Sequence, residues 1–323
     1  MKAIVCKEYG LTDAFEIIDA LKPVPKDGEV LVRVYATSIT VHNLCLVSGK
    51  PFFIRLMGNG LARPKNKTPG SDIAGRVEAV GKNVKGLMPN DEVYGDLSAC
   101  GFGGLAEYVS VPERALVIKP INITFAEAAA VPQAALVALQ GLQEKGHIAA
   151  GQKVLIIGAS GGIGTFAVQI AKHFGAEVTG VCSTKNMDLV LSIGADNVID
   201  YTQEDFTKNR KLYDLIFATA YRSVLDCMRI LTPEGTYVST GGPSMARIFQ
   251  DMLLGPLISK KKGKKVVGGW AVEQNKDLAF ITGLIEAGKI KPVIDKLYPL
   301  DKAAEAFRYF SKGHARGKVI VTI

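Results

Sequence analysis

The sequence predicts an α/β protein in which a β-rich, barrel-like domain precedes a doubly wound parallel sheet. Three observations predict this fold class. Short strands separated by turns recur at regular spacing through residues 1–123. From Thr124 onward, strands alternate with helices. Within that second part, a glycine-rich turn at residues 158–164 joins a buried apolar strand to a helix.

The 323 residues are enough for two domains, each with its own hydrophobic core. We expect the β domain to span residues 1–123 and the alternating domain to span residues 124–290. Residues 291–323 are too few to stand alone. Because they end in a strand at 318–323, we expect them to return to the first domain.

Within the first domain, residues 29–36 alternate as a strand with one buried face, and residues 72–81 form another strand. The long loop at 48–68 is typical of a segment that borders a substrate pocket. It carries Phe52 and Phe53, which either stack on a planar substrate or pack in the core.

The second domain alternates between segments with the apolar spacing of helices and short apolar runs typical of buried strands. Helices are predicted at 125–141, 163–174, 187–192, 223–231 and 277–287. Strands are predicted at 154–157, 177–182, 197–200, 213–219, 235–240 and 265–271. Such alternation indicates a parallel sheet with helices on both faces.

The glycine-rich turn resembles the fingerprint of dinucleotide-binding sites. Gly161 has no Cβ, so its backbone can approach a pyrophosphate, and Gly164 lets the helix pack close to the strand. The first free N–H groups of the helix then point at the anion. We therefore predict that the cofactor is bound by Gly158, Ala159, Ser160, Gly161, Gly162, Ile163 and Gly164.

The end of the next strand predicts which dinucleotide binds. NAD sites usually carry Asp or Glu there, to hold the ribose 2′-hydroxyl. This chain instead has Ser183, Thr184 and Lys185, followed by Asn186. Two hydroxyls and a cation can hold a 2′-phosphate that a carboxylate would repel, so we predict NADP(H). The alternative is that Lys185 is an ordinary solvated lysine.

Ligands of doubly wound sheets lie at the carboxyl ends of the strands. Two such ends are expected near the nicotinamide. The first carries Thr219, and the second carries Thr240, Gly241 and Gly242.

The formal net charge of +8 suits a protein whose ligands carry phosphates. Part of the charge is local, in the lysine run Lys260–Lys265. Such a run is either a solvated loop or a weak contact for anionic lipid or RNA. No aromatic residue interleaves with the lysines, which weakens the RNA interpretation.

No apolar run reaches the length needed to cross a bilayer, and the N-terminus lacks the layout of a signal peptide. We expect a cytoplasmic protein. Five cysteines without a C-x-x-C pair are expected to be reduced.

Several dispersed segments resemble the medium-chain dehydrogenase/reductase superfamily, and within it the zinc-independent quinone oxidoreductase branch related to ζ-crystallin. These segments are 69–81, 90–95, 104–108, 128–132, 158–164, 193–196, 199–201 and 313–318. The resemblance implies a GroES-like β-barrel domain plus a Rossmann domain, with the active site in the cleft between them. It also implies that Ser183, Lys185 and Tyr201 surround the 2′-phosphate, that Lys318 belongs to the cofactor site, and that the protein is a homodimer.

The resemblance also lets the zinc ligands be checked one by one. In zinc alcohol dehydrogenases the first cysteine ligand would fall at Thr40 and the histidine ligand near Ser71. Neither side chain is a usual ligand of Zn²⁺. Only Cys100 occurs where the four cysteines of the structural zinc would lie. We expect no metal site.

Without a Lewis acid, a simple carbonyl accepts hydride poorly, whereas a quinone or an enone accepts it well because charge spreads over the π-system. The catalytic candidates are Thr40 and Asn43, where many relatives carry Asn and Asp. His42 lies between them and either donates a proton or is a structural histidine.

These observations favour an NADPH-dependent reductase of quinones or α,β-unsaturated carbonyls. One alternative is an NADP-dependent alcohol or aldehyde dehydrogenase. Another, from a different class, is an NADPH-binding protein whose main role is contact with lipid or RNA through the lysine run.

Overall fold

A computed structural model describes residues 1–11, 14–52, 54–65, 67–209, 211–240, 263–268 and 275–323. The chain divides into two compact units. The first contains Met1–Gln133, Glu273–Gly288 and Pro292–Ile323, and the second contains Ala134–Val272 and Lys289–Lys291.

The strands of the described residues are numbered in chain order. They are β1 (Lys2–Cys6), β2 (Phe15–Asp19), β3 (Glu29–Ile39), β4 (Asp72–Val80), β5 (Glu92–Asp96), β6 (Tyr108–Pro112), β7 (Val117–Ile118), β8 (Lys153–Ile157), β9 (Glu177–Cys182), β10 (Asn197–Asp200), β11 (Tyr213–Ala218), β12 (Leu231–Ser239), β13 (Lys265–Gly268), β14 (Ile294–Pro299) and β15 (Lys318–Thr322).

The α-helices of the described residues are numbered in the same way. They are α1 (Val41–Ser48), α2 (Phe125–Ala129), α3 (Pro132–Gln140), α4 (Gly162–His173), α5 (Met187–Ser192), α6 (Val224–Cys227), α7 (Asn275–Glu286) and α8 (Ala303–Ser311). None of these helices has both the length and the apolar character needed to span a membrane.

The first unit is built on a seven-stranded sheet in the order β14-β15-β3-β4-β5-β7, with β6 paired to β3. The strands β1 and β2 form a separate antiparallel pair. The C-terminal strand β15 lies antiparallel to β3, so the end of the chain joins the first unit.

The second unit contains a six-stranded sheet in the order β10-β9-β8-β11-β12-β13, and every pair in it is parallel. This is the order of dinucleotide-binding folds, in which the direction of winding reverses between β8 and β11. The predicted fold class is confirmed. The inner strands are buried along almost their whole length, as expected for a sheet covered on both faces.

The helix predicted at 125–141 forms as two helices, α2 and α3, because Pro132 lacks an N–H and starts a new helix at its first position. Thr124 caps α2 by accepting the Glu127 N–H, and the Glu127 carboxylate accepts the Thr124 N–H in return. A π-helical turn, Gly141–Lys145, follows α3.

Packing explains why residues 124–133 and 273–288 group with the first unit, whereas the sequence placed them in the second domain. The short helix α2 packs on β3 and β4. From α7, the Thr282 hydroxyl lies 2.8 Å from the hydroxyl of Tyr94 on β5. Neither contact can be inferred from the spacing of apolar residues in the sequence.

The elements α1, β14 and α8 were not predicted from the sequence. The helix α8 packs on β3, β14 and β15. Its Phe307 is fully buried and meets Phe15 edge to face at 4.9 Å. Its buried residues Ala303, Ala306 and Phe307 lie on one face of the helix, and polar residues lie on the opposite face.

Candidate functional site

The predicted glycine turn lies between β8 and α4, where the chain bends sharply. Gly158 has φ of +84°, which favours glycine. The N–H groups of Gly158 and Ala159 both donate to the carbonyl of Val181 at 3.1 Å, and the Gly161 N–H donates to Gly158 at 3.1 Å. The turn is therefore fixed to the neighbouring strand β9.

The two predicted key glycines differ in what surrounds them. A Cβ at Gly164 would lie 2.1 Å from the Gly158 carbonyl oxygen, so close packing of the helix excludes any side chain there. A Cβ at Gly161 would meet only that same oxygen, at 3.4 Å. The space over Gly161 is open to a ligand, and this open cradle fits a pyrophosphate.

The start of α4 lacks a side-chain cap, because its N-cap is Gly161. The N–H groups in the first turn of a helix have no partner within the helix, and the helix dipole adds positive potential there. Ser160, Gly162 and Ile163 belong to the same turn, which is therefore suited to bind an anion.

The end of β9 carries the residues predicted to hold the 2′-phosphate. Ser183 is half-buried, and Lys185 is exposed. Tyr201 is 57% exposed, and its N–H donates to the carbonyl of Cys182 at 3.1 Å. Ser183, Lys185 and Tyr201 therefore follow the carboxyl ends of two neighbouring parallel strands, β9 and β10.

Sequence reasoning missed a carboxylate at this edge. Asp200 ends β10 and pairs with Cys182 at the end of β9. Its carboxylate accepts the Thr184 hydroxyl, and also the N–H and hydroxyl of Thr202 at 2.9 and 2.7 Å. The bond from Thr184 and those from Thr202 lower the pKa of Asp200. The position of Asp200, at the end of the next parallel strand, was a signal that could have revealed it.

The bond to Asp200 changes the interpretation of Thr184. A hydroxyl has one proton to donate. The Thr184 proton goes to Asp200, so it is not available to a phosphate in this arrangement. Of the two hydroxyls predicted to hold the 2′-phosphate, Ser183 is the better placed.

Thr219 follows β11 at the point where the winding of the sheet reverses. Its hydroxyl lies 2.9 Å from the carbonyl oxygen of Ile157 and 3.3 Å from that of Gly158. Thr219 thus holds the start of the glycine turn in place. Thr240 follows β12, and its N–H donates to the carbonyl of Ala218 at 3.0 Å. Gly241 and Gly242 lie outside the described residues.

In the first unit, Thr40 and Asn43 form a capping box at the start of α1. The Thr40 hydroxyl accepts the Asn43 N–H at 3.2 Å, and the Asn43 side-chain oxygen accepts the Thr40 N–H at 3.3 Å. Both residues are buried. The Asn43 side-chain nitrogen is buried without a partner among the described residues. A structural role is visible for both, and their catalytic role stays a prediction.

His42 lies on the first turn of α1 and is exposed to solvent. Its ring meets Phe102 edge to face at 5.3 Å. Desolvation by the protein around the ring lowers the pKa of His42, and the charge of Asp72 opposes this shift. The neutral imidazole is therefore favoured.

Lys318, predicted to bind the cofactor, is buried at the start of β15 in the first unit. Its ammonium nitrogen lies 3.2 Å from the Asp72 carboxylate. This ion pair accounts for its burial, and the cofactor role of Lys318 stays a prediction.

The groups at the zinc-ligand positions do not fit zinc. The hydroxyl oxygens of Thr40 and Ser71 lie 3.4 Å apart, and neutral hydroxyls are not usual ligands of Zn²⁺. Over the ranges that the structure describes, no three His, Cys, Asp or Glu residues are grouped to hold a metal.

Two further predicted features are only partly described. Phe52 is 62% exposed, with the Arg55 guanidinium 5.6 Å from its ring, whereas Phe53 lies outside the described residues. In the lysine run, Lys260, Lys261 and Lys262 also lie outside them. Lys264 donates to the carbonyl of Met228, so its ammonium is engaged within the unit.

Comparison with known families identifies both parts of the chain. The model of the alcohol dehydrogenase GroES-like domain matches residues 26–121. The model of a zinc-binding dehydrogenase matches residues 193–321. The chain therefore belongs to the medium-chain dehydrogenase/reductase superfamily.

Similar proteins narrow this assignment. The chloroplast envelope quinone oxidoreductase homolog of Arabidopsis thaliana is 34% identical, over 99% of this chain and 98% of its own length. The NADPH-dependent alkenal/one oxidoreductase of the same plant is 33% identical, over 99% and 79%. The structure of the quinone oxidoreductase from Coxiella burnetii superposes with a TM-score of 0.87 at 25% identity, covering 100% of this chain and 99% of that one. Within the superfamily, the chain belongs to the quinone oxidoreductase branch.

Proposed function

We propose that this protein is an NADPH-dependent oxidoreductase that transfers hydride to quinones or α,β-unsaturated carbonyl compounds without a metal. The observation that carries the proposal is the open glycine turn at Gly161, next to a strand end that bears Lys185 and no carboxylate of its own. The names of the relatives, a quinone oxidoreductase homolog and an NADPH-dependent alkenal/one oxidoreductase, support it.

The residues of the second unit divide the binding of NADPH between them. The turn from Gly158 to Gly164 and the free N–H groups of α4 bind the pyrophosphate. Ser183, Lys185 and Tyr201 bind the 2′-phosphate. Thr219 keeps the turn in shape. When bound, the nicotinamide supplies the hydride.

The groups at the two positions compared with zinc ligands support metal-free chemistry. Since Thr40 and Ser71 offer only hydroxyls, the acceptor must already be electrophilic. Conjugated acceptors meet this requirement because their negative charge spreads over the π-system. The N–H of His42 is our candidate to donate a hydrogen bond to the reduced acceptor, which then takes its proton from water. The favoured neutral form of His42 still carries that N–H.

A direct test mixes purified protein with NADPH and a panel of quinones, enones, aldehydes and alcohols. We expect NADPH absorbance to fall only with quinones or enones, and at the same rate after treatment with a chelator. NADH should support the reaction less well. No acceptor-dependent change would refute the proposal. An alcohol activity that a chelator removes and Zn²⁺ restores would instead favour the dehydrogenase alternative.

Three expectations stay predictions. These are a cytoplasmic location, a homodimer, and weak contact of the lysine run with anionic lipid. Light scattering would test the dimer. A liposome flotation assay would test the lipid contact, with glutamine in place of Lys260, Lys261, Lys262, Lys264 and Lys265.

A further inference from the structure

Asn186 links the two parts of the predicted cofactor site. It follows the end of β9 and is 6% exposed. Its side-chain nitrogen lies 3.0 Å from the hydroxyl oxygen of Ser160 and 3.3 Å from that of Ser183. One serine belongs to the glycine turn, and the other belongs to the strand end predicted to meet the 2′-phosphate.

The direction of these bonds matters for phosphate binding. A side-chain amide nitrogen has two protons, and each of the two serine oxygens accepts one of them. Each serine therefore keeps its own proton. Among the described residues, neither hydroxyl has a protein acceptor for that proton. Two donors are thus left for ligand oxygens.

The other end of the Asn186 amide is unsatisfied. Its carbonyl oxygen is buried and has no partner in the part of the chain that the structure describes. An unpaired buried acceptor is unfavourable. The Asn186 amide therefore carries a cost at its oxygen, while its nitrogen holds the two serine hydroxyls.

We propose that Asn186 is a positioning residue for NADPH preference, which holds the Ser160 and Ser183 hydroxyls so that both donate to cofactor phosphates. Ser160 serves the pyrophosphate, which NADPH and NADH share. Ser183 serves the 2′-phosphate, which only NADPH has. This inference rests on the proposed function, because it requires that the site bind NADPH.

The test measures dissociation constants for NADPH, NADH and adenosine 2′,5′-bisphosphate by calorimetry on the full chain. In Asn186→Ala, we expect NADPH affinity to fall roughly tenfold and NADH affinity to fall less. NADPH would lose well-placed bonds from both Ser160 and Ser183, whereas NADH would lose only the bond from Ser160 to the pyrophosphate. In Asn186→Asp, the carboxylate would accept both serine protons and repel the 2′-phosphate, so the preference for NADPH should fall further.

Two controls separate positioning from stability. Asn197→Ala removes an exposed asparagine at the opposite end of the same sheet and should change no dissociation constant. Ser183→Ala should weaken NADPH binding in the wild-type protein but add at most about twofold in Asn186→Ala, because the two residues act as a unit.

The outcomes are distinguishable. If the wild-type protein binds neither NADPH nor the bisphosphate, the proposed function fails and this inference falls with it. Only this inference is overturned if the wild type binds NADPH and both Asn186 variants bind all three ligands with wild-type affinity. The same holds if both variants lose affinity for NADPH and for NADH by equal factors. It is also overturned if neither variant folds, since the role would then be structural.

Discussion

Asp72 and Lys318 form a buried ion pair that joins β4 to the C-terminal strand β15. The Lys318 nitrogen lies 3.2 Å from the Asp72 carboxylate, and the two side chains are 6% and 0% exposed. The Ser38 hydroxyl, at 2.7 Å, and the Gln133 N–H, at 3.2 Å, complete the bonds to the carboxylate. The pair lets the last strand of the chain close the first unit.

Removing one partner should destabilise this unit strongly. We expect Lys318→Met to lower the free energy of unfolding by about 3–5 kcal/mol, because Asp72 would be left buried and unpaired. Urea denaturation would measure it. Lys22→Met, which breaks an exposed pair with Glu78, is the matched control and should change the midpoint far less. Equal shifts in the two variants would contradict the role of the buried pair.

The two glycines of the turn should respond differently to alanine. Gly161→Ala should leave the melting temperature of the free protein nearly unchanged but weaken NADPH binding, because its methyl group fills the open cradle. Gly164→Ala should lower the melting temperature, because its methyl group would lie 2.1 Å from a carbonyl oxygen. Thermal unfolding and calorimetry would check both. A Gly161→Ala protein that binds NADPH normally would argue against the site.

Lys185 should set much of the preference for NADPH. We expect Lys185→Glu to weaken NADPH binding by at least about tenfold and to leave NADH binding similar, because a carboxylate repels the 2′-phosphate. Lys211→Glu makes the same charge change just before β11, at the opposite edge of the sheet, and is the control. An unchanged ratio of the two dissociation constants would refute a 2′-phosphate role for Lys185.

Thr184 should matter less for NADPH than Ser183. The Thr184 proton is bonded to Asp200, whereas the Ser183 proton has no described acceptor in the chain. We therefore expect Ser183→Ala to weaken the binding of adenosine 2′,5′-bisphosphate more than Thr184→Val does. A larger effect of Thr184→Val would show that its hydroxyl turns from Asp200 to the ligand.

His42 should make stability depend on pH. Desolvation lowers its pKa in the folded protein below the ordinary 6.5, so the unfolded chain binds the proton more tightly. The contribution of neutral His42 to the free energy of unfolding is present above pH 6.5. It is lost as the pH falls through the pKa of the folded protein. NMR titration would measure the pKa. Phe102→Leu, which opens the ring to water, should raise it. A wild-type pKa above 6.5 would contradict the account.

The parallel sheet and its glycine turn were predictable because both leave local signals. Strands buried on two faces read as short apolar runs, as at β8, and the turn needs glycine at Gly158 and Gly164 for reasons of space. The helix α1 was not predicted. It is only eight residues long, and its capping box uses Asn43 in place of the usual Glu or Gln.

The polar contacts within the candidate site were not predictable from the sequence. Asp200 lies beside Thr184 only because β9 and β10 pair in parallel, and Asn186 meets Ser160 only because the turn folds back on β9. Residue types suggested which groups could hold a phosphate. Which hydroxyls remain free to do so depends on packing between neighbouring strands.

The most direct test of the central claim traces the hydride itself. The protein, treated with a chelator, is mixed with an enone and NADPH in which both hydrogens on the reactive nicotinamide carbon are deuterium. We predict one deuterium on the β-carbon of the reduced product, as measured by mass spectrometry. A product without deuterium, or transfer that stops on chelation and returns with Zn²⁺, would contradict metal-free hydride transfer from NADPH.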